Sequence, residues 1–103
     1  MAAKTMTLDD IKQTLTAQKP FLYEKYGVTE VGIFGSYARG EQGPESDLDI
    51  LIELEDPPRI SLLGLVNLKH YLGDLLGLEV DLAIKENLRK RIGRRILQEV
   101  VSL

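Results

Sequence analysis

The sequence predicts an α/β (α+β) domain: a small mixed sheet flanked by helices. Three runs with strand character, 29–34, 48–54 and 78–84, are separated by helical stretches. The middle run places Leu48, Ile50, Ile52 and Leu54 on one face and Asp47, Asp49, Leu51 and Glu53 on the other. The intervening stretches repeat their apolar residues at helical spacing. No internal repeat or linker divides the 103 residues, so 1–103 reads as one domain.

Thr7, with Asp10 three residues later, makes an acidic capping box, and Leu8, Ile11 and Leu15 follow at helical spacing, predicting a helix over 8–17. Pro20 lacks an amide donor, which predicts a second short helix over 20–26, closed by Gly27. The strand 29–34 ends at Gly35, and a turn at Gly35-Ser36 leads to a brief helical segment around 37–39. Two glycines and a proline make 40–46 a loop. After Pro57-Pro58, Ser61 caps a helix that runs to about Leu76 and stops at Gly77. In the strand 78–84, Val80, Leu82 and Ile84 oppose Glu79, Asp81 and Ala83. An amphipathic helix over 86–102 closes the chain. Its stripe is Leu88, Ile92, Ile96, Val100 and Leu103, and its basic side is Arg89, Lys90, Arg91, Arg94 and Arg95.

Composition removes several classes of function. With 44% hydrophobic residues and a net charge of −3 the chain is not disordered. The absence of cysteine excludes disulfides and thiolate metal sites and fits a cytoplasmic protein. No secretory h-region is visible behind Met1, and no apolar run is long enough for a membrane span. The acidic balance argues against a nucleic-acid coat, so no direct nucleic-acid partner is expected.

The chemistry concentrates in 31–54. Gly35 permits a sharp turn and close approach of an anion, and Ser36 offers a hydroxyl and an amide at the start of a helical turn. Asp47 and Asp49 share a strand face, and two such carboxylates are unfavourable without a cation. Mg²⁺ binds through carboxylates and substrate phosphate, so the pair beside a phosphate seat reads as a metal–nucleotide site. Asp81, if its strand neighbours that of Asp47 and Asp49, completes a trio able to hold two metals. Taken singly, each residue has a plainer reading: Ser36 as a helix cap, an isolated D-x-D as solvated surface, Gly35 as a turn residue.

The pattern G-S-x10-D-x-D at Gly35, Ser36, Asp47 and Asp49, with Asp81 downstream, resembles the polymerase-beta-type nucleotidyltransferase superfamily. Chain length, Ser36-Tyr37-Ala38-Arg39-Gly40 and Ser46-Asp47-Leu48-Asp49 resemble its minimal nucleotidyltransferases, a branch that includes MntA-type antitoxins paired with HEPN ribonuclease toxins. The resemblance implies ATP as donor, two Mg²⁺ ions, and transfer of AMP to a tyrosine of a HEPN toxin with release of pyrophosphate. It implies that Gly35 and Ser36 contact the triphosphate, that Asp47 and Asp49 ligate metal, and that Asp81 ligates the catalytic metal and activates the acceptor. Arg39 is a further candidate for phosphate contact. Larger relatives carry a helical domain with no counterpart here, so a partner chain or a second copy would supply that surface.

His70, mid-helix with no second His or Cys, reads as structural, Glu79 as a peripheral charge, and Glu53 as too far along its strand. The cluster at 89–95 reads as a solvated helix face, or as a contact for an acidic partner. Leu62, Leu63, Leu65, Val66, Leu68, Leu72, Leu75 and Leu76 are expected mostly in the core, with the excess a candidate oligomer interface. Two rival functions remain: a non-catalytic antitoxin acting by complex formation, and a small-molecule nucleotidyltransferase. The second lacks a domain to hold its substrate.

Overall fold

The first helix runs unbroken through a proline. In the computed structural model, which describes residues 7–43, 46–87 and 90–103, α1 spans Leu8–Tyr26 with Pro20 inside it. The expected break at Pro20 is therefore corrected. A proline costs about 3 kcal/mol inside a helix. Ile11, Leu15, Leu22 and Tyr26 are all buried along one stripe that crosses it, and burying each such side chain returns about 1.5–3 kcal/mol. Pro20 itself faces solvent. The capping box forms as expected, with Asp10 N–H donating to Thr7 Oγ1 and Thr7 N–H to an Asp10 carboxylate oxygen, both at 3.1 Å. Gly27 closes α1 in the left-handed region, its N–H bonding the Tyr23 carbonyl at 2.9 Å.

Next come β1 (Val28–Phe34), α2 (Ser36–Arg39), β2 (Leu48–Leu54) and α3 (Leu62–Leu76), then β3 (Val80–Ile84). Ser61 caps α3 as expected, accepting from Gly64 N–H at 3.0 Å. The strand expected over 78–84 starts two residues later. Leu78 N–H is engaged by the Gly73 carbonyl at 3.2 Å in the closing turn of α3, so Leu78 belongs to that cap. A 3-10 turn (Lys85–Asn87) leads to α4 (Lys90–Glu99).

The helix expected over 86–102 is also corrected. It ends at Glu99, and Val101–Ser102 form a short strand β4 against β1, pairing Gly32 with Ser102 and Ile33 with Val101. Gly32 makes room for this: a β-carbon there would stand 2.5 Å from Val100 Cγ2. Strand pairing satisfies backbone groups of β1 that would otherwise form an open edge. Of the expected basic and apolar sides of this segment, Leu88 and Arg89 lie outside the described residues, as do the side chains at 90–93 and 95; Arg94 is exposed.

The sheet is mixed, in the order β3-β2-β1-β4, with β2 and β3 parallel and the other pairs antiparallel. α3 provides the crossover that a parallel pair requires. Val31 and Ile33 on β1 and Ile50 and Ile52 on β2 share a face with Leu82 and Ile84 on β3. That face forms one core with Ile11, Leu15 and Leu22 of α1 and Leu68, Leu72 and Leu76 of α3. The acidic positions fall on the opposite face. Fewer α3 side chains are core than expected: Leu65 is half-buried, whereas Leu62, Leu63, Val66 and Leu75 are exposed, Leu62 to 80%. No helix among the described residues is long and apolar enough to cross a membrane.

Candidate active site

The register of the sheet draws the acidic residues together. Phe34 of β1 pairs with Asp49 of β2, and Asp49 pairs with Asp81 of β3, so the three stand in one row on one face. Gly35 follows Phe34 immediately and turns the chain out of the sheet at φ 75°, ψ −151°, a conformation that suits glycine alone. Asp49 Oδ2 lies against Gly35 where a β-carbon would be, so glycine is needed for space as well as for backbone angle.

α2 is anchored by buried Tyr37 and ended by Gly40 in the left-handed region. No side chain caps its first turn, so Ser36 does not act as the helix cap that its residue type suggested. The turn and the row are thus adjacent through Gly35 and Asp49.

Asp47 precedes β2 and is exposed. Leu48 N–H donates to the Glu79 carbonyl at 2.8 Å, which ties the start of β2 to the start of β3 beside it. Asp49 is partly buried, and its pKa is raised, first by desolvation, then by the charges of Asp81 and Asp47; Arg39 pulls weakly the other way. All three carboxylates therefore act on one locus. Among the described residues no three His, Cys, Asp or Glu side chains stand close enough, as placed, to enclose a metal ion. The donor set nevertheless suits one: oxygen ligands alone, two of them in direct register, with a charge repulsion that a hard divalent cation would relieve.

Arg39 stands on the same side but is engaged, bonding Glu41 Oε2 at 3.1 Å and Glu99 Oε2 at 3.0 Å. Lys69 of α3 brings its Nζ to 3.8 Å from Asp81 Oδ1. Glu41, Glu99 and Lys69 escaped the sequence reading because each meets the site through packing rather than through a motif. Glu79 is exposed, and Glu53 pairs with Lys85 at 3.3 Å farther along β2. His70 is exposed on α3. It lines a cleft of about 690 Å³ with Lys69, Asp74 and Glu79 at the outer edge of β3. Lys69 is the residue that this cleft shares with the surroundings of Asp81.

Residues 15–103 match the nucleotidyltransferase domain family. The protein adenylyltransferase MntA of Thermococcus cleftensis is 49% identical over 96 residues, covering 93% of this chain and 95% of that protein. A solved minimal nucleotidyltransferase structure is similar at TM-score 0.81 and 34% identity, covering 98% of this chain and all of that one. A toxin–antitoxin crystal structure with AMP-PNP shares the fold at TM-score 0.68 and 21% identity, over 94% of this chain and 72% of that one. The acidic row and its glycine turn therefore sit in a chain that belongs to the nucleotidyltransferase domain family, and the protein is a nucleotidyltransferase.

Proposed function

We propose that this single-domain chain is an Mg²⁺-dependent protein adenylyltransferase that transfers AMP from ATP to a tyrosine hydroxyl of a partner HEPN ribonuclease toxin, as that toxin's antitoxin. The observation that carries the chemistry is the Phe34–Asp49–Asp81 row, with the Gly35-Ser36 turn at one end and Asp47 beside it. A protein acceptor and the antitoxin role draw support from the likeness to MntA and to a toxin–antitoxin complex; the tyrosine and the HEPN class rest on the family resemblance carried by the pattern of 31–54. ATP as donor and a sequence without cysteine fit work in the cytoplasm.

In this reading Asp47, Asp49 and Asp81 would hold two Mg²⁺ ions, which would supply charge neutralisation for the triphosphate and acidify the acceptor hydroxyl. Gly35 and Ser36 seat the triphosphate at the turn, where the backbone can approach because no β-carbon intervenes. Arg39 leaves its glutamates to meet a phosphate oxygen. Asp81, on the outer strand, takes the proton of the hydroxyl as oxygen attacks the α-phosphorus. A new P–O bond joins AMP to the acceptor, and the bond to pyrophosphate breaks.

The exposed Leu62, Leu63 and Val66 on α3 also fit a neutraliser that acts by binding alone. Intact mass spectrometry of the partner toxin, incubated with this protein, ATP and Mg²⁺, separates the two. A gain of AMP mass that is lost in Asp47→Asn supports catalysis. A stable complex with no mass gain overturns it in favour of binding.

A further inference from the structure

Lys69 belongs to α3, on the core side of the sheet, yet its ammonium reaches Asp81, 3.8 Å from Oδ1, across the edge of β3. β3 is the outermost strand of the sheet, so among the described residues no further strand covers Asp81. The Lys69 side chain lines a shallow groove of about 210 Å³ with Leu65, Val66, Leu82 and Ile84, which leads its charged end to the carboxylate. Among the described residues it is the one cation in ion-pair contact with any of Asp47, Asp49 and Asp81. The guanidinium of Arg39 pairs instead with Glu41 and Glu99.

The position is informative because Asp81 sits beside Asp49 in register. Two carboxylates one strand apart repel each other in the metal-free protein, and a nearby positive charge eases that repulsion. A lysine at 3.8 Å, with both side chains about half exposed (46% and 56%), supplies that charge without a tight hydrogen bond. Such a contact is easily broken.

We propose that Lys69 is a placeholder for the metal at Asp81: it holds the carboxylate in the metal-free protein and yields it when a divalent cation arrives. Lys69 is then a positioning residue that sets the metal concentration at which Asp81 is recruited. The inference rests on the reading of Asp81 as a metal ligand given above.

The test is direct Mn²⁺ binding to the whole chain, followed by the electron paramagnetic resonance signal of free Mn²⁺, with no nucleotide and no turnover. Lys69→Met should tighten Mn²⁺ binding about two- to fivefold, the scale of a partly exposed ion pair. Lys69→Arg, which keeps the charge, should stay near wild type. Lys85→Met is the control for bulk charge, since Lys85 pairs with Glu53 away from the row, and should leave binding unchanged. In an Asp81→Asn background, Lys69→Met should have no effect. Unchanged or weaker binding in Lys69→Met, or equal tightening in Lys85→Met, overturns the placeholder role while leaving the metal site standing. A wild-type protein that binds no Mn²⁺ overturns the metal reading of the row, and this inference with it.

Discussion

The carboxylate of Asp49 occupies the space that a β-carbon on Gly35 would fill. One residue belongs to the turn that leaves β1 and the other to the face of β2, so the glycine turn and the acidic row are mechanically one unit. Gly35→Ala should therefore do two things. It should destabilise the fold by about 1–3 kcal/mol, from backbone strain at φ 75°, and lower AMP transfer at least about tenfold by displacing Asp49. Gly40→Ala separates these effects. Gly40 also has positive φ but has nothing within 4 Å of an added β-carbon, so it should cost stability alone. Urea denaturation beside a transfer assay checks both variants, and full activity in Gly35→Ala would refute the coupling.

Asp49 also predicts a pH dependence. Burial, then Asp81 and Asp47, raise its pKa above the ordinary 3.8. The folded metal-free protein thus keeps this proton to higher pH than the unfolded chain does, and stability from this group falls as pH rises through that interval. At neutral pH the ionised Asp49 is a burden. Asp49→Asn in EDTA should melt above wild type at pH 7, the gain should vanish below the ordinary carboxylate range, and transfer should be lost. Identical melting at pH 7 would show that the row is not repulsive.

Glu99 competes with a phosphate for Arg39, because it holds Nη1 of the guanidinium at 3.0 Å. Glu99→Gln should lower the KM for ATP about two- to threefold by weakening the competing pair. Arg39→Gln should raise it about tenfold, the scale of a charge-assisted hydrogen bond. Steady-state kinetics decide it; a KM unmoved in Arg39→Gln removes this residue from the nucleotide site.

Pro20 gives a prediction of opposite sign. It is exposed within a continuous α1, so Pro20→Ala restores a backbone donor without disturbing the core. Stability should rise by about 1 kcal/mol or more, read as a higher urea midpoint. A lower midpoint would mean that Pro20 itself is needed for α1 to follow the sheet.

The sequence by itself determined the local elements and the sidedness of the acids. Thr7, Gly27, Ser61 and Gly77 mark their helix ends in the structure as their residue types predict, because caps and left-handed glycines are decided within a few residues. The alternation of 48–54 set the apolar residues apart from Asp47 and Asp49 for the same reason. Tertiary structure decided the rest. Asp81 faces Asp49 only because β2 and β3 pair in one particular parallel register, a choice made by the whole core rather than by any motif. Packing on both sides of Pro20 kept α1 whole, and the smallness of Gly32 let the final residues join β1 as a strand. Lys69, Glu41 and Glu99 reach the site through side chains whose direction no local pattern specifies. Short-range sterics and hydrogen bonding write themselves into sequence; register and cross-element contacts are settled by burial shared across the molecule.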